Sequence, residues 1–174
     1  MGLRCLVKII ELIFPSLLAV MVHEAGHLFM MLLLGVKFYS GRYSLWGIKI
    51  TADYMKSSYT KELFVSVSGS LSNLVFATML FSAGKNEYGY AMIAYGAFNL
   101  LPADFLDGGE ILRLILQMLK ADDYLSSQIC HYTSGFVTVI LWILSVYIAI
   151  KYNSATILIS VFYMIFISFS QEDT

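Results

Sequence analysis

The sequence predicts an all-α polytopic membrane protein with about five transmembrane helices, a broken third helix and a short β-hairpin at the membrane surface. Of its 174 residues, 59% are hydrophobic and 13% are charged, and the mean hydropathy is +0.74. Soluble domains carry about 25% charged residues, so the composition indicates a membrane protein. The net charge of −1 includes no basic excess, and we therefore expect no nucleic-acid partner.

Five apolar segments account for the predicted helices, because a helix needs about 20 residues to cross the hydrocarbon core of a bilayer. They cover about 9–34, 63–83, 88–119 with a break around 102–109, 132–150 and 155–169. The last two are joined by a short polar link, which favours an antiparallel pair. We expect a single membrane-embedded domain over 1–174, with a core over about 9–119 and accessory helices over about 131–170.

The segment from 37 to 59 differs from its apolar neighbours. Gly41 and Gly47 interrupt it, and residues 48–53 alternate apolar and polar side chains with the period of a strand. Its aromatic residues suit either a strand or a membrane interface. We therefore expect a short hairpin that lies at or dips into the bilayer surface, with an irregular interfacial loop as the alternative.

A His-Glu-Ala-Gly-His run, His23 to His27, lies inside the first apolar segment. Ionisable groups at membrane depth are costly to insert, so by default they mark function rather than packing. Two histidines four residues apart share one face of a helix, as two zinc ligands require. Glu24 lies between them and is placed to act as a general base. The pattern predicts a hydrolytic zinc site.

A zinc ion in a hydrolytic site takes three protein ligands and keeps one position open. The acidic candidates at membrane depth all lie in the broken third segment, and they are Asp104, Asp107 and Glu110. Asp107 precedes a Gly-Gly pair, which lets the backbone unwind and turn the carboxylate toward a metal. Pro102 removes a helical hydrogen bond nearby, and a broken helix is tolerated where it lines a cavity. The chemistry favours Asp107, with Asp104 and Glu110 as alternatives.

Two motifs in order, His23-Glu-Ala-Gly-His27 and the later Asn99-Leu-Leu-Pro-Ala-Asp-Phe-Leu-Asp107-Gly, resemble the site-2 protease family of intramembrane zinc metalloproteases. The resemblance covers the three-helix core of that family and corresponds to a compact form without its PDZ or CBS domain. It implies one zinc ion per chain, held by His23, His27 and Asp107, with Glu24 as the general base. It also implies that the structural residues of the second motif are Asn99, Pro102 and Gly108.

The second predicted helix contains Gly69-Ser-Leu-Ser-Asn73, which resembles the family's Gly-Pro-x-x-Asn motif with Ser70 where proline is usual. The resemblance implies that Asn73 binds the substrate backbone or a developing oxyanion. The alternative is a polar residue that bonds a neighbouring helix. The sequence assigns no role to Cys5, Cys130 or His131.

The basic residues concentrate between the first two predicted helices, at Lys37, Arg42, Lys49, Lys56 and Lys61. The positive-inside rule then favours this loop in the cytoplasm and the N-terminus outside. We expect a multi-pass protein of a bacterial-type cell membrane whose active site faces the cytoplasmic side.

The resulting hypothesis is a zinc metalloendopeptidase that cuts a peptide bond in or near the transmembrane segment of a membrane protein or membrane peptide. Regulated intramembrane proteolysis and peptide processing both fit it. The expected partners are a single-pass membrane substrate and a regulatory membrane protein. One alternative is a non-proteolytic zinc-binding membrane protein with a structural or partner-binding role. Another is a membrane metalloprotease of a different type, in which Glu110 is the third ligand.

Overall fold

The computed structural model describes residues 2–36, 38–44, 47–52 and 58–152, with side chains over 14–36 and 58–151. The elements in chain order are α1 (Gly2–Leu34), β1 (Phe38–Ser44), β2 (Gly47–Ala52), α2 (Tyr59–Ser82), α3 (Asn86–Asn99), α4 (Asp107–Met118) and α5 (Asp123–Tyr152). The chain divides into two compact units, Met1–Leu100 and Leu101–Thr174.

Three of the described helices are long and apolar enough to cross a membrane, over Phe14–Leu34, Tyr59–Ser82 and Asp123–Lys151. The helical membrane architecture expected from the composition is confirmed to this extent. The expected fifth segment, 155–169, lies outside the described residues, so a total of about five spans stays a prediction. The fourth predicted segment is the second half of α5, which begins at Asp123, about nine residues earlier than expected.

The end of α1 follows from local chemistry. Gly35 has a φ of 65°, a left-handed conformation that glycine adopts without strain. The N–H of Val36 then reaches back to the Met31 carbonyl at 3.0 Å, closing the turn. Lys61 at the start of α2 donates its Nζ to the Leu34 carbonyl at 3.2 Å. The positive charge and the last carbonyls of α1 stabilise each other.

The first unit packs α1, α2 and α3 against one another. Its centre contains the fully buried Ala19, Ala77 and Met92, one from each helix. Small residues such as the two alanines let helix backbones approach closely. In a membrane this close van der Waals packing holds helices together, because the surrounding lipid is as apolar as their side chains. Large apolar side chains point outward instead: Phe29 is 65% exposed and Leu32 is 72% exposed. An apolar outer surface of this kind suits lipid contact.

The segment expected to form a hairpin contains β1 and β2, which pair antiparallel. Ser44 lies opposite Gly47 at one end of the pair, and Phe38 lies opposite Ala52 at the other. The register shifts between Phe38 and Ser40, as it does at a β-bulge. The location of these strands at the membrane surface stays a prediction.

The broken third segment consists of α3, an interruption at 100–106, and α4. Helix α4 therefore begins at Asp107, about four residues before the expected restart. Pro102 has no N–H to continue a helix, and the turn is closed by the Leu106 N–H on the Ala103 carbonyl at 2.9 Å. In the second unit α4 packs on α5, and the Asp104 N–H donates to Ser134 Oγ at 3.1 Å. The turn is thus tied to α5.

The turn before α4 requires glycine at 109. A Cβ there would fall on the Ala103 carbonyl group, 2.7 Å from its carbon, and 3.0 Å from Asp104 Cα. These are backbone atoms, which cannot rotate away. We expect Gly109→Ala to lower the free energy of unfolding by about 1–3 kcal/mol, measured by thermal unfolding in detergent.

A matched control is Gly135→Ala in α5, where an added Cβ meets nothing within 4 Å. This variant should unfold at or slightly above the parent's temperature, because alanine favours a helix over glycine. Equal unfolding temperatures for the two variants would contradict the steric account of residue 109.

Candidate metal centre

His23 and His27 lie in the middle of α1, within its membrane-length apolar stretch. Their separation by four residues turns both rings to the same face of the helix. The rings meet edge to face with centroids 4.7 Å apart, and their Nε2 atoms are 3.1 Å apart. His23 is 2% exposed and His27 is half-buried. The pairing predicted from the His-x-x-x-His spacing is therefore present in the fold.

The ring of His27 is oriented by a backbone carbonyl of α2. Its Nδ1 lies 2.7 Å from the Val65 oxygen. A carbonyl can only accept, so Nδ1 carries a proton, and in the neutral ring Nε2 keeps its lone pair. A metal-ligating histidine is usually held in this way, by a hydrogen bond from the nitrogen that does not bind the metal. His27 is thus prepared to offer Nε2 as a ligand.

The ring of His23 is held from two sides. Asn73 of α2 faces its Nδ1 through Nδ2 at 3.5 Å. Tyr95 of α3 packs edge to face on it, with ring centroids 5.2 Å apart. Asn99, from the second sequence motif, donates its amide to the Tyr95 carbonyl one turn earlier, at 3.0 Å. All three helices of the first unit therefore meet at this ring.

Gly69 of α2 faces both imidazoles. A Cβ at this position would lie 2.7 Å from His23 Nε2 and closer still to His27 Nε2. Only glycine lets the α2 backbone come this near to the two nitrogens. Sequence reasoning noted Gly69 as part of a motif but gave it no role. The available signal was a glycine inside a membrane helix, a position that often marks close helix contact.

Glu24 is exposed, although its neighbour His23 is buried. One residue along a helix is about 100° of rotation, so the carboxylate leaves the face that the two rings share. In this position it is accessible to water or to a bound molecule. It is not packed into the helix interface.

The acidic residues of the second unit differ in their surroundings. Asp107 is half-buried in the first turn of α4, where the helix dipole favours a negative charge. Asp104 is exposed. Glu110 pairs with Arg113, which donates Nε to Oε2 at 2.9 Å and Nη2 to Oε1. Both carboxylate oxygens of Glu110 are thus engaged, which disfavours it as a metal ligand.

The remaining predicted site residues have these positions. Pro102 lies in the interruption before α4, half-buried, and Gly108 is buried in the first turn of α4. The two histidines belong to the first unit and Asp107 to the second. That Asp107 completes the ligand set stays a prediction.

The histidine pair fits a zinc ion by donor chemistry and by spacing. Two nitrogens bound at about 2.0–2.1 Å by a tetrahedral zinc are about 3.3 Å apart. The two Nε2 atoms are separated by 3.1 Å, and His27 already presents a lone pair there. Little rearrangement of the rings is needed to admit an ion.

No known family model matches this chain, and no curated protein sequence matches it. Its structure is similar to that of a site-2 protease from Methanocaldococcus jannaschii, with a TM-score of 0.67 and 20% sequence identity. The likeness covers 90% of this chain and 75% of that one. At this identity the likeness concerns the fold, and it confirms the resemblance that the two motifs predicted. The chain has the fold of a site-2 protease.

Proposed function

We propose that this protein is an intramembrane zinc metalloprotease. The observation that carries the proposal is the pair of imidazoles, His23 and His27, converging within 3.1 Å inside a membrane-length apolar helix. Ionisable groups at that depth are costly to insert, so by default they mark a functional site. The site-2 protease fold supports the same activity, since the similar solved structure is described as a protease.

We further propose that the ligands are His23 and His27 through Nε2 and Asp107 through its carboxylate, with one zinc per chain. Three ligands of this kind leave one coordination position open for reaction. Zinc, when bound, supplies Lewis acidity toward the scissile carbonyl and toward water. The hydrogen bond on His27 Nδ1 supports this ligand set.

The proposed general base is Glu24. Its carboxylate takes a proton from the attacking water and later passes it to the leaving amine. Its exposure supports this role, because a base must reach water and substrate. As a helix neighbour of His23, it is held beside the ligands without being one of them.

The proposed substrate is a single-pass membrane protein or a membrane peptide. A helical substrate has its carbonyls in hydrogen bonds, so it must unwind before it is cut. Residues that break a helix near the cleavage site should therefore help. The two-stranded sheet supports a docking role, because each described strand has one edge without a described partner strand. An unwound substrate would add there as a further strand.

The proposed setting is a bacterial-type cell membrane with the site toward the cytoplasm. Four basic residues between α1 and α2, together with Lys61 in the first turn of α2, support this orientation. A regulatory membrane partner is also proposed.

Zinc content tests the ligand set directly. We expect about one zinc per detergent-purified parent chain, and loss or strong weakening of binding in Asp107→Ala, because a three-ligand site then keeps two ligands. Zinc is measured by elemental analysis after removal of loosely bound metal.

The matched controls are Asp104→Ala and Glu110→Ala, which remove neighbouring carboxylates. Both should keep the parent's zinc. If one of them loses zinc while Asp107→Ala keeps it, the residue substituted in that variant is the third ligand and Asp107 is not. A well-folded parent without zinc would overturn the protease proposal.

A further inference from the structure

We propose that Asn73 is a positioning residue for the metal centre: a half-turn of its amide lets Oδ1 accept the Nδ1–H of His23 when metal is bound. The inference rests on the proposed function and deepens it. It gives Asn73 a role through His23 in place of contact with substrate.

Three contacts among the described residues bear on the protons of the two rings. The Val65 carbonyl accepts from His27 Nδ1, so in the neutral ring His27 Nε2 carries a lone pair. His23 Nε2 lies 3.1 Å away, a separation that suits two nitrogens bound to one zinc ion. With its proton on Nε2, His23 accepts at Nδ1, which faces the Asn73 Nδ2 donor at 3.5 Å. In that tautomer the Nε2 of His23 cannot bind a metal.

Metal binding requires a different proton position on His23. Both Nε2 atoms must then present lone pairs, so the His23 proton moves to Nδ1. An Nδ1–H facing the Nδ2 amide would set two donors against each other. A half-turn about the Cβ–Cγ bond of Asn73 exchanges Nδ2 and Oδ1, and the carboxamide oxygen then accepts from the ring.

This rotation would also give the carboxamide oxygen of Asn73 a hydrogen-bond donor. Among the described residues, its Oδ1 is buried and has no hydrogen-bond partner. Buried polar atoms without partners are uncommon and call for an explanation. The Nδ2 contact at 3.5 Å is also long for a hydrogen bond. The present orientation therefore leaves the amide poorly satisfied, whereas a ring Nδ1–H would give the oxygen a donor.

The surroundings of Asn73 shield it from substrate. The residue is 0% exposed. A Cβ added to Gly96 of α3 would lie 3.3 Å from Asn73 Cβ and 3.6 Å from Nδ2, so a backbone surface backs the amide. Ser70 Oγ donates to the Gly96 carbonyl at 3.0 Å and joins the two helices beside it. A group enclosed in this way acts on the reaction through the ring that it contacts.

The test compares two substitutions in the full detergent-purified chain. Asn73→Leu keeps the size and removes the acceptor, whereas Asn73→Asp keeps an acceptor for Nδ1–H. Zinc affinity is measured by competition with a chromophoric chelator, and the visible spectrum of the Co²⁺ form reports ligand geometry. We expect Asn73→Leu to weaken zinc about 10–100-fold and to alter the Co²⁺ spectrum. Asn73→Asp should restore both to the parent's values.

The control is Thr78→Val, an exposed position of α2 whose hydroxyl bonds the Val75 carbonyl of its own helix. It should match the parent in zinc affinity and spectrum. Parent-like zinc affinity in Asn73→Leu would overturn the positioning role. So would equal losses in the Leu and Asp variants that track a lower unfolding temperature, since packing alone explains that result. Absence of zinc from the parent would instead overturn the proposed function.

Discussion

The Glu24→Gln protein should keep its zinc and lose peptide cleavage by a factor of about 10²–10⁴, the usual contribution of general acid–base catalysis. Glutamine has the shape of glutamate but does not take a proton from water. The residue is exposed and carries no described contact to the rings of His23 and His27. The substitution should therefore leave α1 and the ligands in place.

Cleavage is measured on a purified single-span peptide in detergent or vesicles, with zinc quantified on the same preparation. The matched control is Glu87→Gln, which neutralises another exposed glutamate in the first turn of α3. It should cleave at the parent's rate. Cleavage at the parent's rate by Glu24→Gln would show that Glu24 is not the general base. Loss of zinc from this variant would show that Glu24 is a ligand or a structural residue.

Gly69→Ala should lose zinc binding and cleavage together. The added methyl would meet His23 at 2.7 Å from both Nε2 and Cε1, and it would also press on His27 Nε2. Neither ring can rotate freely, because His27 is bonded to the Val65 carbonyl and His23 is packed on Tyr95. Either α2 moves away from α1 or the rings leave their positions. Overpacking of this kind costs about 1–3 kcal/mol.

The experiment combines zinc affinity, the Co²⁺ spectrum and thermal unfolding. Gly135→Ala is again a suitable control, because it adds the same methyl to an open helix position. That variant should bind zinc as the parent does. Zinc bound by Gly69→Ala with unchanged affinity would contradict the close approach of α2 to the histidine pair.

Local features of the site were predictable because they depend on residues close in sequence. The spacing of His23 and His27 is enough to place both rings on one helix face. Pro102 is enough to predict an interruption in the third segment, but the Gly-Gly pair, which was expected inside the interruption, lies in the first turn of α4.

Other features depend on how the helices pack. The bond from His27 to Val65 joins residues 38 apart, and the contact of Asn73 with His23 joins residues 50 apart. The approach of α2 at Gly69 is of the same kind. Apolar helices in a membrane have no strong pattern that specifies which faces meet, because lipid is as apolar as their side chains. From the sequence, Asn73 was either a substrate contact, as the resemblance implies, or a polar residue bonded to a neighbouring helix, and its burial beside His23 favours the second.

The sequence by itself determined the membrane class of this protein and the likeness of its two motifs to site-2 proteases. Both are statements of composition and short spacing, which need no knowledge of packing. Only the tertiary structure decided the surroundings of the two imidazoles, with a carbonyl on one ring, an amide on the other and a glycine facing both. These contacts join α2 to α1, and their geometry exists only once the two helices have packed.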